Sequence, residues 1–259
     1  VAALFLGLLA MALATGAARG FGLRAGLMAG ELGLVAPGLL ALAVRGRLAE
    51  ALALRPLSPA ALFLSLVAGG ALWIFSLGLM SLQVLWWAPP EEFLDTFRHL
   101  HEALRPRGPL DAIVSIAAIA ILPAACEEVV FRGMLLPAFV KAAGPAAGVG
   151  VTALLFGLIH VQYVPAHPLV LDRVPFAIAV GIGLGILRLR AASLWPPVLA
   201  HAALNTLTFA VVLFTPAAGD PVEEGRLDVG LGLLAAGALA FTLFAWGLRP
   251  PADRSGLGG

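Results

Sequence analysis

The sequence predicts an all-α, polytopic membrane bundle of about eight transmembrane helices with one amphipathic interfacial helix. Three observations carry this. Of 259 residues, 61% are hydrophobic and 12% charged, against roughly 25% charge in a soluble domain. Mean hydropathy is +0.99 over the whole length, too high for a soluble domain with a single anchor. The apolar stretches mostly approach the ~20 residues that cross a bilayer as helix, and short joints separate them.

The first stretch, 1–18, lacks the basic start of a secretion signal and is followed by further spans, so it reads as a membrane helix. The others are 22–44, 60–87, 110–140, 146–164, 174–189, 194–214 and 229–248. Polar or proline-bearing joints lie between them, among them 45–59, 141–145, 164–173 and 215–228. The 110–140 stretch is long, and Pro123 and Pro137 are its expected kink sites. Segment 91–107 differs in kind. Phe93, Leu94, Phe97, Leu100 and Leu104 recur at helical spacing among nine charged or histidine residues, which predicts an amphipathic helix on the membrane surface. Its His99 and His101 are two apart and do not share a face. The chain reads as one integral membrane domain, 1–259, with a disordered tail at 249–259.

Composition also excludes classes of function. A net charge of +1 gives no footprint for nucleic acid, and one cysteine, Cys126, allows neither an intrachain disulfide nor a Cys-only zinc site. Gly181, Gly183 and Gly185 mimic a nucleotide fingerprint, but they lie inside an apolar span, where small residues serve close helix packing. Lys and Arg divide eight to seven between the two sides of an eight-span chain. That favours both termini in the cytoplasm.

Ionisable groups inside a bilayer call for explanation, because each costs about 2.5–3.5 kcal/mol at a helix centre. Three motifs carry them here: Glu127-Glu128-Val129-Val130-Phe131-Arg132, Phe156-Gly157-Leu158-Ile159-His160 and His201-Ala202-Ala203-Leu204-Asn205. Adjacent Glu127 and Glu128 point about 100° apart on a helix and cannot share a role. Glu128 and Arg132, at i,i+4 with the carboxylate first, are expected to pair. Glu127 is left without a local partner, and a carboxylate in apolar surroundings suits proton transfer near neutral pH. His201 and Asn205, also i,i+4, can present two donors to one oxyanion. The alternative for that pair is interhelical hydrogen bonding. Glu31, alone in the second span, is expected to snorkel or to pair.

In this order on successive apolar segments, the three motifs resemble the CPBP family. Its members are the type II CAAX prenyl endopeptidases and the bacteriocin-processing and self-immunity (Abi) proteins. The resemblance covers about 110–214. It implies an intramembrane endopeptidase acting on membrane-associated peptides or proteins, prenylated CAAX-like ones among the candidates. Glu127 and His160 would activate water, His201 and Asn205 would stabilise the oxyanion, and Glu128 and Arg132 would support the site or place substrate. No cofactor is favoured. Zinc held by Glu127, His160 and His201 is the alternative, and a transporter or a non-catalytic immunity or scaffold protein is a further rival. The expected partners are the bilayer and a peptide or lipidated protein, and the expected location is a prokaryotic plasma membrane. One difficulty stands: the spans place His160 and His201 at different depths. Either the boundaries shift, or the 188–197 connection dips into the membrane.

Overall fold

The computed structural model describes residues 2–164, 167–214 and 227–248. The chain is an all-α polytopic bundle. Six of its helices are long and apolar enough to cross a membrane, and it is an integral membrane protein. The elements are α1 (Ala2–Ala18), α2 (Leu23–Val44), the short α3 (Leu48–Leu52), α4 (Pro59–Val84), the interfacial α5 (Glu91–Leu104), α6 (Pro109–Ile116), α7 (Leu122–Glu128), α8 (Leu136–Leu158), α9 (Arg173–Ala191), α10 (Trp195–Phe214) and α11 (Leu227–Gly247). Against the eight spans expected, one of the six crossing helices, Pro109–Leu158, is 50 residues long and takes in 110–140 and most of 146–164. Most of the expected joint at 215–228, its residues 215–226, and the tail at 249–259 lie outside the described residues.

The local sequence accounts for the helix ends. Ser58 caps α4, its hydroxyl accepting from the Ala61 N–H at 3.1 Å, with Pro59 in the first turn. Pro109 opens α6, and Pro196 and Pro197 lie in the first turn of α10, where a missing N–H costs nothing. The two expected kink prolines each follow a stretch of π-helix. Ala117–Ile121 precedes Pro123, and Val129–Leu135 precedes Pro137. A proline cannot donate to the preceding turn and its ring crowds that turn's carbonyl, so a wider turn absorbs the mismatch. The long helix breaks at Gly144, whose φ of +84° suits a residue without Cβ.

Helix α5 forms where its spacing predicts, with Phe93 and Leu104 buried and Arg98 bridging Glu91 and Asp95 on its exposed side. Arg24 of α2 ties its C-terminal end down, reaching the Leu104 carbonyl, Ser115 and Asp111. One element departs from helix. Gln162–Val164 pairs antiparallel with His167–Val170 in a two-stranded hairpin. Val170 at its end packs on Phe93 and Leu94 of α5. His167, expected in a loop, opens the second strand.

Without a hydrophobic drive between helices in lipid, close backbone approach is what holds a bundle together. Helix α4 meets α11 with Gly237 against the backbone of Phe75. It meets α10 with Gly69 against Ala200, the residue before His201, and a Cβ on Gly69 would collide with the Ala200 carbonyl oxygen and lie 2.9 Å from its Cα. Gly69→Val therefore forces α10 away from α4. We expect a loss of about 1–3 kcal/mol, read as a lower Tm in detergent. Gly150→Ala, where nothing lies within 4 Å, leaves Tm unchanged or slightly raised.

Candidate active site

Four elements converge inside the bundle. Helix α7 and the π stretch after it bring Glu127, Glu128 and Arg132. The end of α8 brings Phe156 and His160, α9 brings Gly181, and α10 brings His201 and Asn205. Glu128 and Arg132 are fully buried and His201 is 4% exposed.

The expected Glu128–Arg132 pair is present. Arg132 Nη1 donates to Glu128 Oε1 at 2.7 Å. The guanidinium also donates from Nη2 to the Gly181 carbonyl at 2.9 Å and lies 4.7 Å from the Phe156 ring centroid. The same Glu128 oxygen accepts from His201 Nδ1 at 3.0 Å. A buried carboxylate thus joins α7 to α10, and an ion pair that looked local proves to orient a histidine 73 residues away.

These bonds define the tautomers. A carbonyl oxygen can only accept, so His160, whose Nδ1 lies 2.7 Å from the Phe156 oxygen, carries its proton there and offers a lone pair at Nε2. His201 donates its Nδ1–H to Glu128, which turns Nε2 toward Glu127, 3.8 Å from Oε2. That is too long for a hydrogen bond. The Glu127 side chain is 13% exposed, the more open of the two glutamates. Among the described residues no hydrogen bond or ion pair joins Glu127 to His160. Asn205, one turn beyond His201, directs Nδ2 to the Ala120 carbonyl at 3.5 Å, a contact long enough to be given up easily.

The expected difference in depth between the two histidines is removed by shifted boundaries. Helix α8 ends at Leu158, and α9 and α10 are separated only by residues 192–194. Both imidazoles then lie against one ring, with centroids 4.8 Å (His160) and 5.7 Å (His201) from that of Phe156. Phe156 was visible in the sequence only as the first letter of its motif.

Two charges were not assigned to the site by spacing. Glu31 of α2 and Arg173 at the start of α9 both interact electrostatically with Glu127. Glu31 Oε2 is buried without a hydrogen-bond partner among the described residues. Helices α2 and α7 run alongside one another here: Leu34 and Val35 share a core cluster with Cys126 and Val130, and Gly38 meets the Met134 side chain. Both Glu31 and Arg173 are far from the motifs in sequence, so only the packing of α2 and α9 brings them in. As for zinc, among the described residues no three His, Cys, Asp or Glu side chains form a group that could hold a metal ion.

Fold and site together define a class: a helical membrane protein with carboxylates, an arginine and two imidazoles enclosed among its helices. Residues 109–207 match the family model of the Rce1-like type II CAAX prenyl endopeptidases. All three motifs lie within the matched segment, and over this core the match bears out the resemblance to the CPBP family. The matched family is one of peptidases, and the match supports peptide hydrolysis as the class of activity. No match was found among curated proteins or among solved structures.

Proposed function

We propose that the chain hydrolyses a peptide bond in membrane-associated peptides or proteins, prenylated CAAX-like ones among the candidates, by a metal-free glutamate–histidine mechanism. The observation that carries this reading is the linked set Arg132–Glu128–His201, which faces Glu127 across a 3.8 Å gap. Glu127 takes a proton from water as the water oxygen bonds to the carbonyl carbon. His160 Nε2, a lone pair fixed by the Phe156 bond, orients that water. The displaced carbonyl electrons become an oxyanion. Asn205 Nδ2 and His201, the latter held in place by its Nδ1–H bond to Glu128, receive it. Collapse breaks the C–N bond, and Glu127 passes its proton to the leaving amine.

The 3.8 Å gap leaves the His201 face of Glu127 open, and the Glu128–Arg132 pair acts as a support that holds His201 rather than as a contact to substrate. Orientation with both termini in the cytoplasm of a prokaryotic cell is part of the same reading. Its test is mass spectrometry of peptides incubated with the detergent-purified protein in H₂¹⁸O, including lipidated C-terminal ones. One ¹⁸O in the newly formed carboxylate after a single turnover is the expected product. Binding without cleavage across the whole set would favour the scaffold alternative.

A further inference from the structure

At the end of the bundle where α9 finishes, a cavity of about 280 Å³ opens between α8 and α9, lined by Leu136, Pro137, Val140, Lys141, Arg188 and Leu189. Four of its walls are apolar and two are cations. Arg188 is only partly exposed, and its Nε is buried without an acceptor. A third cation stands close by. The Arg55 charge acts on Arg188, and its chain is held at the end of α9 by Ser193 Oγ donating to the Arg55 carbonyl at 3.1 Å and the Leu194 N–H donating to the Ala53 carbonyl at 3.3 Å. None of these three cations forms an ion pair with a carboxylate among the described residues.

Cations in the last turn of a helix offset its dipole, and Arg190 does so by another route, donating to the Ala245 and Trp246 carbonyls while lying over the Trp246 ring. Arg188 has no such partner among the described residues. An orientation signal requires only charge in a loop, not a guanidinium drawn into an apolar-walled cavity beside two like charges. That arrangement is unfavourable when empty and favourable around an anion.

We propose that this cavity binds an anionic phospholipid. Arg188 and Lys141 hold its phosphate, Arg55 adds to the field, and Leu136, Val140 and Leu189 meet the carbons next to the headgroup. Basic pockets between membrane helices are suited to anionic headgroups. The cavity has the volume of about nine waters at ~30 Å³ each, which suits a headgroup and the start of its chains rather than a whole lipid.

Native mass spectrometry of the full chain in detergent tests this, with phosphatidylglycerol and phosphatidylcholine as probes. Wild type should retain phosphatidylglycerol and not phosphatidylcholine. Arg188→Gln and Lys141→Gln should each weaken retention about tenfold or more, the scale of one charge-assisted hydrogen bond. Arg190→Gln should retain lipid as wild type does. Lys141 is exposed, so its variant decides the matter even if Arg188→Gln does not fold. Equal retention of both lipids, retention unchanged in the Lys141 and Arg188 variants, or no retention by wild type would overturn the proposal. Displacement of the lipid by millimolar inorganic phosphate would also overturn it, in favour of a free-anion site.

Discussion

Glu127→Gln should lower kcat/KM about 10²–10⁴-fold, the contribution of a positioned general base, and leave the protein folded. The substitution keeps the side chain's shape and removes only its proton-accepting charge. Glu127 stands near the like charges of Glu31 and Glu128 as well as the opposite charges of Arg132 and Arg173. Neutralising it relieves repulsion, so Tm should hold or rise while activity is lost. Catalytic groups commonly show such a trade of stability against activity. A coupled fall of Tm and activity would make Glu127 a packing residue instead. His160→Gln should lose activity in the same range, because the amide that replaces the imidazole offers no basic nitrogen to the water.

Arg132→Met should be the most damaging single change to stability. It leaves Glu128 buried and uncompensated, a loss of about 3–5 kcal/mol, which thermal unfolding in detergent would show. The double replacement Glu128→Leu with Arg132→Met should recover most of that loss, since apolar residues of similar volume often replace a buried pair at no net cost. Activity should not recover. His201 would have lost the acceptor that fixes its Nδ1 proton, and misplacing a catalytic histidine's tautomer can cost on the order of 10⁴-fold in kcat. Recovery of both stability and cleavage in the double variant would show that the pair serves packing alone.

The sequence and the structure agree most where the physics is local. Hydropathy and length mark the helices, and i,i+4 spacing marks the Glu128–Arg132 pair, because both follow from one segment's own geometry. Helix α5 was legible for the same reason. The hairpin at 162–170 was not. Its strands are three and four residues long, and it takes its place from contact with α5 rather than from any alternation of its own. The π stretches were legible only as proline positions, since the sequence shows where a turn is disturbed but not how the disturbance is absorbed.

Within the site, the long-range links were hidden. The bond from Glu128 to His201, the capture of Arg132 by the Gly181 carbonyl and the approach of Glu31 to Glu127 all depend on how helices cross. Glu128 and the Ala120 carbonyl engage His201 and Asn205, the interhelical bonding that their spacing left open as the alternative. The glycines of α9 did signal close packing, yet nothing in their spacing disclosed that a carbonyl among them would hold the arginine.

The most direct test of metal-free hydrolysis by Glu127 and His160 is cleavage of quenched-fluorescent peptides, lipidated ones among them, by the detergent-purified protein with and without a chelator, beside Glu127→Gln and His160→Gln. Wild type should cleave equally in both conditions and each variant should fail in both. Activity abolished by chelator and restored by zinc, or cleavage undiminished in Glu127→Gln, would contradict it.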